Sequence, residues 1–259
     1  METPKPRPEI KAEYLSGLLG RRHLFLDDGG VLNDNGLRGP EWLRLIGEFM
    51  PARMGGTAEQ WASANRVVFP QVWGNLRKRL ADFASHKQFQ RTYATNWMRG
   101  VCAYIGIKPP PDNEAVTLYN DLSRYIGERA TSAIAGAADA VLSLHHAGYT
   151  LYTASGTPSW ELRGIVAKMG IAEAFSGLYG PDLVDHVKYG PAFYQRVFSH
   201  AGVEPSRALV IESDAECCRW ASEAGARAVL IDPDGRGDAT TLKTLVHPGL
   251  HDNWTAKQL

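Results

Sequence analysis

The stretch Leu24-Phe25-Leu26-Asp27-Asp28-Gly29-Gly30-Val31-Leu32 decides how this chain folds. A short apolar run ends abruptly at two carboxylates and two glycines. A strand covered on both faces is continuously apolar, and in open α/β sheets reactive groups gather at the carboxyl ends of the strands. Gly29 and Gly30 let the backbone turn sharply there and let a ligand approach. The plainer alternative is a strand followed by an ordinary Asp-Gly turn. Only what the other strands carry separates the two.

Outward from that strand, the sequence after Gly148 alternates short apolar strands with helices of about ten residues, the rhythm of βαβ units in a parallel sheet. Strands are expected at 149–152, around 178–179, at 208–211 and at 228–231, with helices at 159–169, 192–201 and 215–223. Residues 36–132 differ in texture. Helical patterns at 42–49, 58–68, 72–83, 89–105 and 113–126 are punctuated by Pro51, Gly55-Gly56, Pro70 and Pro109-Pro110-Pro111. The expected fold class is α/β, a Rossmann-like parallel sheet core at 21–35 and 133–259 with an inserted α-helical cap domain at 36–132. Residues 1–20 read as a flexible N-terminal tail. Because the insert starts and finishes where the sheet presents its acids, it could close over the strand ends as a lid. Helices packed passively on the sheet are the alternative.

Composition narrows the partners. Among 259 residues, 28 basic and 28 acidic side chains balance, so no overall charge recommends nucleic acid or an anionic membrane. The three cysteines, Cys102, Cys217 and Cys218, make no disulfide framework, which fits a reduced compartment. The N-terminal stretch lacks the apolar core of a signal peptide, and no run approaches the roughly 18 apolar residues of a membrane span. The expected location is the cytoplasm and the expected partner a small, anionic molecule.

The strand ends, taken together, present a set with identifiable roles. The first carries Asp27; the second carries Thr153, then Ala154, Ser155 and Thr157. Lys188 follows in Val187-Lys188-Tyr189-Gly190-Pro191, and Glu212, Ser213 and Asp214 end the strand at 208–211. A carboxylate can attack as a nucleophile, while a hydroxyl and an ammonium neutralise the oxygens of a transferred group. An acidic pair can hold a hard divalent cation. Each has a plainer reading: Thr153 as a cap, Lys188 as a surface charge, Glu212 to Asp214 as acids complementing a helix N-terminus. Cys217 and Cys218 read as packing residues.

In this order the four groups resemble the motifs of the haloacid dehalogenase-like (HAD) hydrolase superfamily. Its opening Asp-x-Asp-Gly-(Thr/Val)-Leu loop is similar to Asp27-Asp28-Gly29-Gly30-Val31-Leu32. Its second motif is similar to Gly148 through Thr153-Ala154-Ser155, preceded by an approach helix from Gly136. Its third is similar to Lys188-Tyr189-Gly190-Pro191, and its fourth to Ala208 through Glu212-Ser213-Asp214. The resemblance covers 22–35 and 133–232 and implies a helical cap inserted after the first motif. It further implies an aspartyl-enzyme intermediate on Asp27, with Thr153, Ala154, Ser155 and Lys188 binding phosphate. Asp27, the Gly29 carbonyl, Glu212 and Asp214 would hold Mg²⁺.

Two positions depart from the family's phosphatases. Gly29 stands where they carry a second aspartate that protonates the leaving group, a role worth on the order of 10²–10⁴ in rate. Ser213 stands where a carboxylate ligand is usual. The leading expectation is a Mg²⁺-dependent phosphatase of a small metabolite. The alternatives are a C–P or C–halogen bond hydrolase, suggested by Gly29, and a catalytically weak binding or regulatory protein. In the insert, Arg91, Tyr93, Trp97 and Arg99 are candidates for substrate contact, although aromatics on helices are more often core.

Overall fold

The computed structural model describes residues 22–231; the tail expected at 1–20 and the core expected beyond 231 lie outside the described residues. Five strands, β1 (His23–Leu26), β2 (Thr150–Ala154), β3 (Phe175–Tyr179), β4 (Ala208–Glu212) and β5 (Arg227–Leu230), form a sheet in the order β3-β2-β1-β4-β5. All its pairings are parallel. The chain winds outward from β1 through β2 to β3, then returns to place β4 on the other side of β1. The order therefore reverses between β1 and β4, and ligands in such sheets bind in the crevice at that switch.

Burial follows from the pattern of the strands. Leu24, Leu26, Leu151, Leu209 and Ile211 face one layer, built by α6 (Ala137–His146) and α7 (Ser159–Lys168). Phe25, Tyr152, Ala154, Ala208 and Val210 face the other, built by α8 (Pro191–Ala201) and α9 (Ala215–Glu223). Period-two alternation with apolar residues at both phases produces strands covered on both sides.

Between β1 and α6 lies an all-helical block with its own core. It comprises α1 (Asn35–Phe49), α2 (Pro51–Met54), α3 (Ala58–Arg77), α4 (His86–Ile105) and α5 (Asp112–Gly127). Three of its helices, α1, α3 and α4, start at side-chain caps: Asp34 accepts from Gly36 and Leu37, Thr57 and Gln60 form a capping box, and Ser85 accepts from Gln88. One expectation needs correction. Pro70 does not separate two helices but sits inside α3, which runs unbroken to Arg77. A proline interior to a helix costs about 3 kcal/mol; here Trp61, Ala64, Val68 and Leu76 pack the same helix into the core on both sides of it. Among the described residues no helix is long and apolar enough to cross a membrane.

Helix α5 meets α7 through glycines. A Cβ on Gly127 would lie 2.5 Å from the Glu161 carbonyl oxygen, and one on Gly164 2.6 Å from the Glu128 amide nitrogen. The two backbones touch, and this contact fixes one flank of the helical block beside the carboxyl ends of the strands.

Candidate active site

The turn after β1 separates the two aspartates. The Asp27 amide still pairs with the Ile211 carbonyl at 2.9 Å, so Asp27 continues the strand. The next carbonyl, that of Asp28, accepts from the amides of Val31, Leu32 and Asn33, closing a helical turn. Gly30 takes φ +76°, and a Cβ there would sit 2.5 Å from Ser213 Cβ, so this position admits glycine alone. Successive side chains point to opposite faces of a strand, and the two carboxylates end in different surroundings.

Asp27 faces the β1/β4 switch. Its Oδ1 lies 2.9 Å from Lys188 Nζ, which also sits 2.7 Å from Glu212 Oε1. Glu212 Oε1 accepts a second bond from the Tyr194 hydroxyl at 2.6 Å, while Oε2 is buried without a partner. Burial works against the Lys188 charge, but Asp27 and Glu212 more than offset it and hold the ammonium above its ordinary pKa. Burial, helped by Asp27, pushes the Glu212 carboxyl up to about 8 despite Lys188 and Tyr194. The cluster thus gathers two carboxyl groups around one ammonium, with one Glu212 oxygen left unpartnered. Cys217 and Cys218 have thiols raised by burial, in keeping with packing rather than attack.

Asp28 faces the helical block and is fully buried. It accepts from Asn33 Nδ2 at 2.5 Å, Arg38 Nη1 at 2.6 Å and the Thr157 hydroxyl at 3.0 Å. Arg38 also reaches Glu161 at 2.9 Å, and Glu161 accepts from the Ser123 hydroxyl at 2.6 Å. The network thus ties the turn after β1, the start of α1, the start of α7 and the middle of α5. Burial raises the Glu161 pKa, opposed by Arg38 and Ser123. Arg38 is held above its ordinary pKa because the two acids outweigh the cost of its burial.

The structure brings Asp27, Lys188 and Glu212 together as a cluster, but not Thr153. Strand β2 continues through Ala154, so Thr153 is a strand-interior residue paired with Leu26 and Leu178. Its buried hydroxyl donates to the Tyr179 carbonyl at 3.1 Å. Ala154 offers no polar side chain, and the Ser155 hydroxyl accepts from the Thr157 amide at 3.1 Å.

The expected metal donors do not fit a divalent cation. The Gly29 carbonyl accepts from the Ser213 hydroxyl at 2.6 Å. Asp214 caps α9, its carboxylate accepting from the amides of Glu216 and Cys217. Glu212 is held by Lys188 and Tyr194. Mg²⁺ asks for one or two free carboxylates in octahedral geometry, and among the described residues no cluster of three or more His, Cys, Asp or Glu side chains is placed to hold a metal.

The space beside Gly29 is also taken. A Cβ there would lie 2.7 Å from Asn35 Oδ1, so the first residue of α1 fills the region where an aspartate side chain would begin. Asn35, Gly156 and Thr157 line a cavity of about 940 Å³ that extends into the helical block. A Cβ built on Gly156 would lie 3.8 Å from Lys188 Cδ. The cavity therefore reaches the segments that flank the Asp27–Lys188 pair, the start of α1 at Asn35 and the loop at Gly156. Of the candidates in the insert, Tyr93 lines the cavity, whereas Trp97 is buried on Asn65 and Arg99 pairs with Asp112 at the surface. Asn35, Arg38, Glu161 and Tyr194 were not singled out from the sequence; only the position of Glu161 in the first turn of a helix hinted at a role.

A family model for a haloacid dehalogenase-like hydrolase matches residues 22–225. The chain belongs to that family. No curated protein matches it significantly. Solved HAD structures share its fold at low identity. L-2-haloacid dehalogenase from Xanthobacter autotrophicus is 19% identical, with TM-score 0.53 over 80% of this chain and 76% of that one. The putative HAD-hydrolase YfnB from Bacillus subtilis, bound to magnesium, is 16% identical, with TM-score 0.61 over 85% and 93%. CbbY from Rhodobacter sphaeroides, in complex with phosphate, is 17% identical, with TM-score 0.54 over 80% and 84%. The HAD fold and a hydrolytic enzyme are thereby established, and the reaction is set by the site.

Proposed function

We propose that this HAD hydrolase displaces a leaving group that needs no proton, a halide first of all, from carbon by attack of Asp27. The observation that carries the reading is the engagement of every phosphatase group at the site. Gly29 supplies no acid and its neighbouring space holds Asn35, its carbonyl is taken by Ser213, and Glu212 is closed by Lys188 and Tyr194. An alkoxide leaving group needs a general acid; a halide does not. In the first step an Asp27 oxygen bonds to the substrate carbon and the carbon–halogen electron pair leaves with the halide. Water then adds to the aspartyl ester, the alcohol departs, and one proton is released as Asp27 is regenerated. Lys188 orients Asp27 and neutralises charge on the ester oxygen. The helices at 36–132 serve as the cap that keeps bulk water from the ester.

The shared fold with L-2-haloacid dehalogenases supports this reading, while the magnesium-bound and phosphate-bound relatives favour the Mg²⁺-dependent phosphatase as second. Incubation with a panel of 2-haloacids in EDTA, and of phosphate esters in Mg²⁺, tests both. Halide release that survives EDTA and is lost in Asp27→Asn is the expected result. Magnesium-dependent phosphate release would overturn it, and silence on every halide would favour a binding role.

A further inference from the structure

The cavity that borders the Asp27 loop through Asn35, Gly156 and Thr157 is large and aromatic for a site that handles a two- or three-carbon acid. At about 940 Å³ it has room for about 30 waters at their share of liquid volume, within the range that buries drug-sized ligands. Its walls carry Trp42, Phe69, Trp73, Phe89, Tyr93 and Tyr119. These rings brace each other: Trp73 meets Phe89 and Tyr93 edge-on at 6.3 and 6.5 Å, and Tyr93 meets Tyr119 at 5.2 Å. A wall of mutually packed rings is preformed and presents faces and edges to a further ring.

The charges in the cavity favour an anion. Arg38 is matched by Asp28 and Glu161. Arg66 lines the same space and makes no ion pair among the described residues. His86 is held toward its neutral form by burial. The Glu161 carboxylate is engaged by Arg38 and by the Ser123 hydroxyl. The cavity therefore combines an aromatic chamber with one uncompensated cation.

We infer that the substrate is an aryl-bearing 2-haloalkanoate, its ring among Trp73, Phe89 and Tyr93, its carboxylate drawn by Arg66, and its reacting carbon over Asp27. This rests on the halide-displacing reading above, yet binding can be measured without turnover. The probes are 2-hydroxy-3-phenylpropanoate, which is the product such a reaction would give, lactate, and the neutral 3-phenylpropane-1,2-diol.

Isothermal titration of the full chain is expected to show the aryl acid binding on the order of 50-fold tighter than lactate, from about 100 Å² of additional apolar burial. The diol is expected to bind at least tenfold more weakly than the aryl acid. Trp73→Leu and, at a residue that is 40% exposed, Phe69→Ala should each reduce the preference for the aryl acid over lactate. Equal affinity for lactate and the aryl acid would overturn the inference, as would equal affinity for acid and diol. Tight aryl-acid binding without halide release from any 2-haloacid would leave the chamber's ligand class standing and remove the reaction alone.

Discussion

Two clusters grow from adjacent aspartates, and both place one cation between two acids. In the first, Lys188 bridges Asp27 and Glu212; in the second, Arg38 bridges Asp28 and Glu161. What differs is access. The Asp27 side chain keeps 14% of its surface exposed, whereas that of Asp28 is sealed at 0%. The first cluster has an undersatisfied member, the Glu212 oxygen without a partner; in the second, donors from four segments converge on the two carboxylates. Equal charge patterns thus support different tasks. An acid left reachable and incompletely paired suits chemistry, while an acid closed by a planar, five-donor guanidinium suits construction.

The sharpest way to break this comparison is to neutralise each acid in turn. Asp27→Asn is expected to lower turnover by about 10⁴-fold or more while leaving the fold intact. Asp28→Asn should act mainly on stability; if Asp28→Asn alone abolished turnover in a folded protein, the assignment of the two acids would be reversed. Next in size is Arg38→Met, which strands two buried carboxylates. It should destabilise the protein by about 3–5 kcal/mol in urea unfolding, and an unchanged midpoint would deny the second cluster its constructional role.

Gly164→Ala is expected to cost about 1–3 kcal/mol, because the new methyl must force apart backbones that touch. A neutral result there would mean that α5 and α7 can separate freely. The smallest effect concerns pH. Glu212 is raised from its ordinary 4.5 to about 8, so between those values the native state holds a proton the unfolded chain has lost. Stability from this group is complete at the acidic end and declines as pH rises toward 8. In Glu212→Gln the decline measured between pH 5 and 8 should flatten; an identical slope would show that Glu212 stays ionised.

Much of this was legible in the sequence, for reasons that differ by residue. The strands and the helices after Gly148 announce themselves by period and by glycine stops, and Asp27, Lys188 and Glu212 are visible because each closes an apolar run or precedes a proline turn. Thr153 reads as a strand end in the sequence, whereas β2 extends to Ala154 and the Thr153 hydroxyl meets the Tyr179 carbonyl. Pro70 reads as a boundary because a local rule disfavours it inside a helix, and tertiary packing overrides that rule in α3. The second cluster was invisible for a different reason. Arg38 and Glu161 are 123 positions apart, and nothing local marks either as a partner of Asp28. Nor does any local pattern tell that Asn35 would occupy the space left by Gly29.

The most direct test of Asp27 as the nucleophile is isotopic. The protein is turned over repeatedly on its best 2-haloacid in H₂¹⁸O with EDTA, digested, and the peptide spanning residues 22–38 sequenced by tandem mass spectrometry. Incorporation of ¹⁸O at Asp27 and not at Asp28, with halide released, is the predicted result, because water attacks the aspartyl ester. Label at Asp28, or label found in the alcohol product with both aspartates unlabelled, would contradict it.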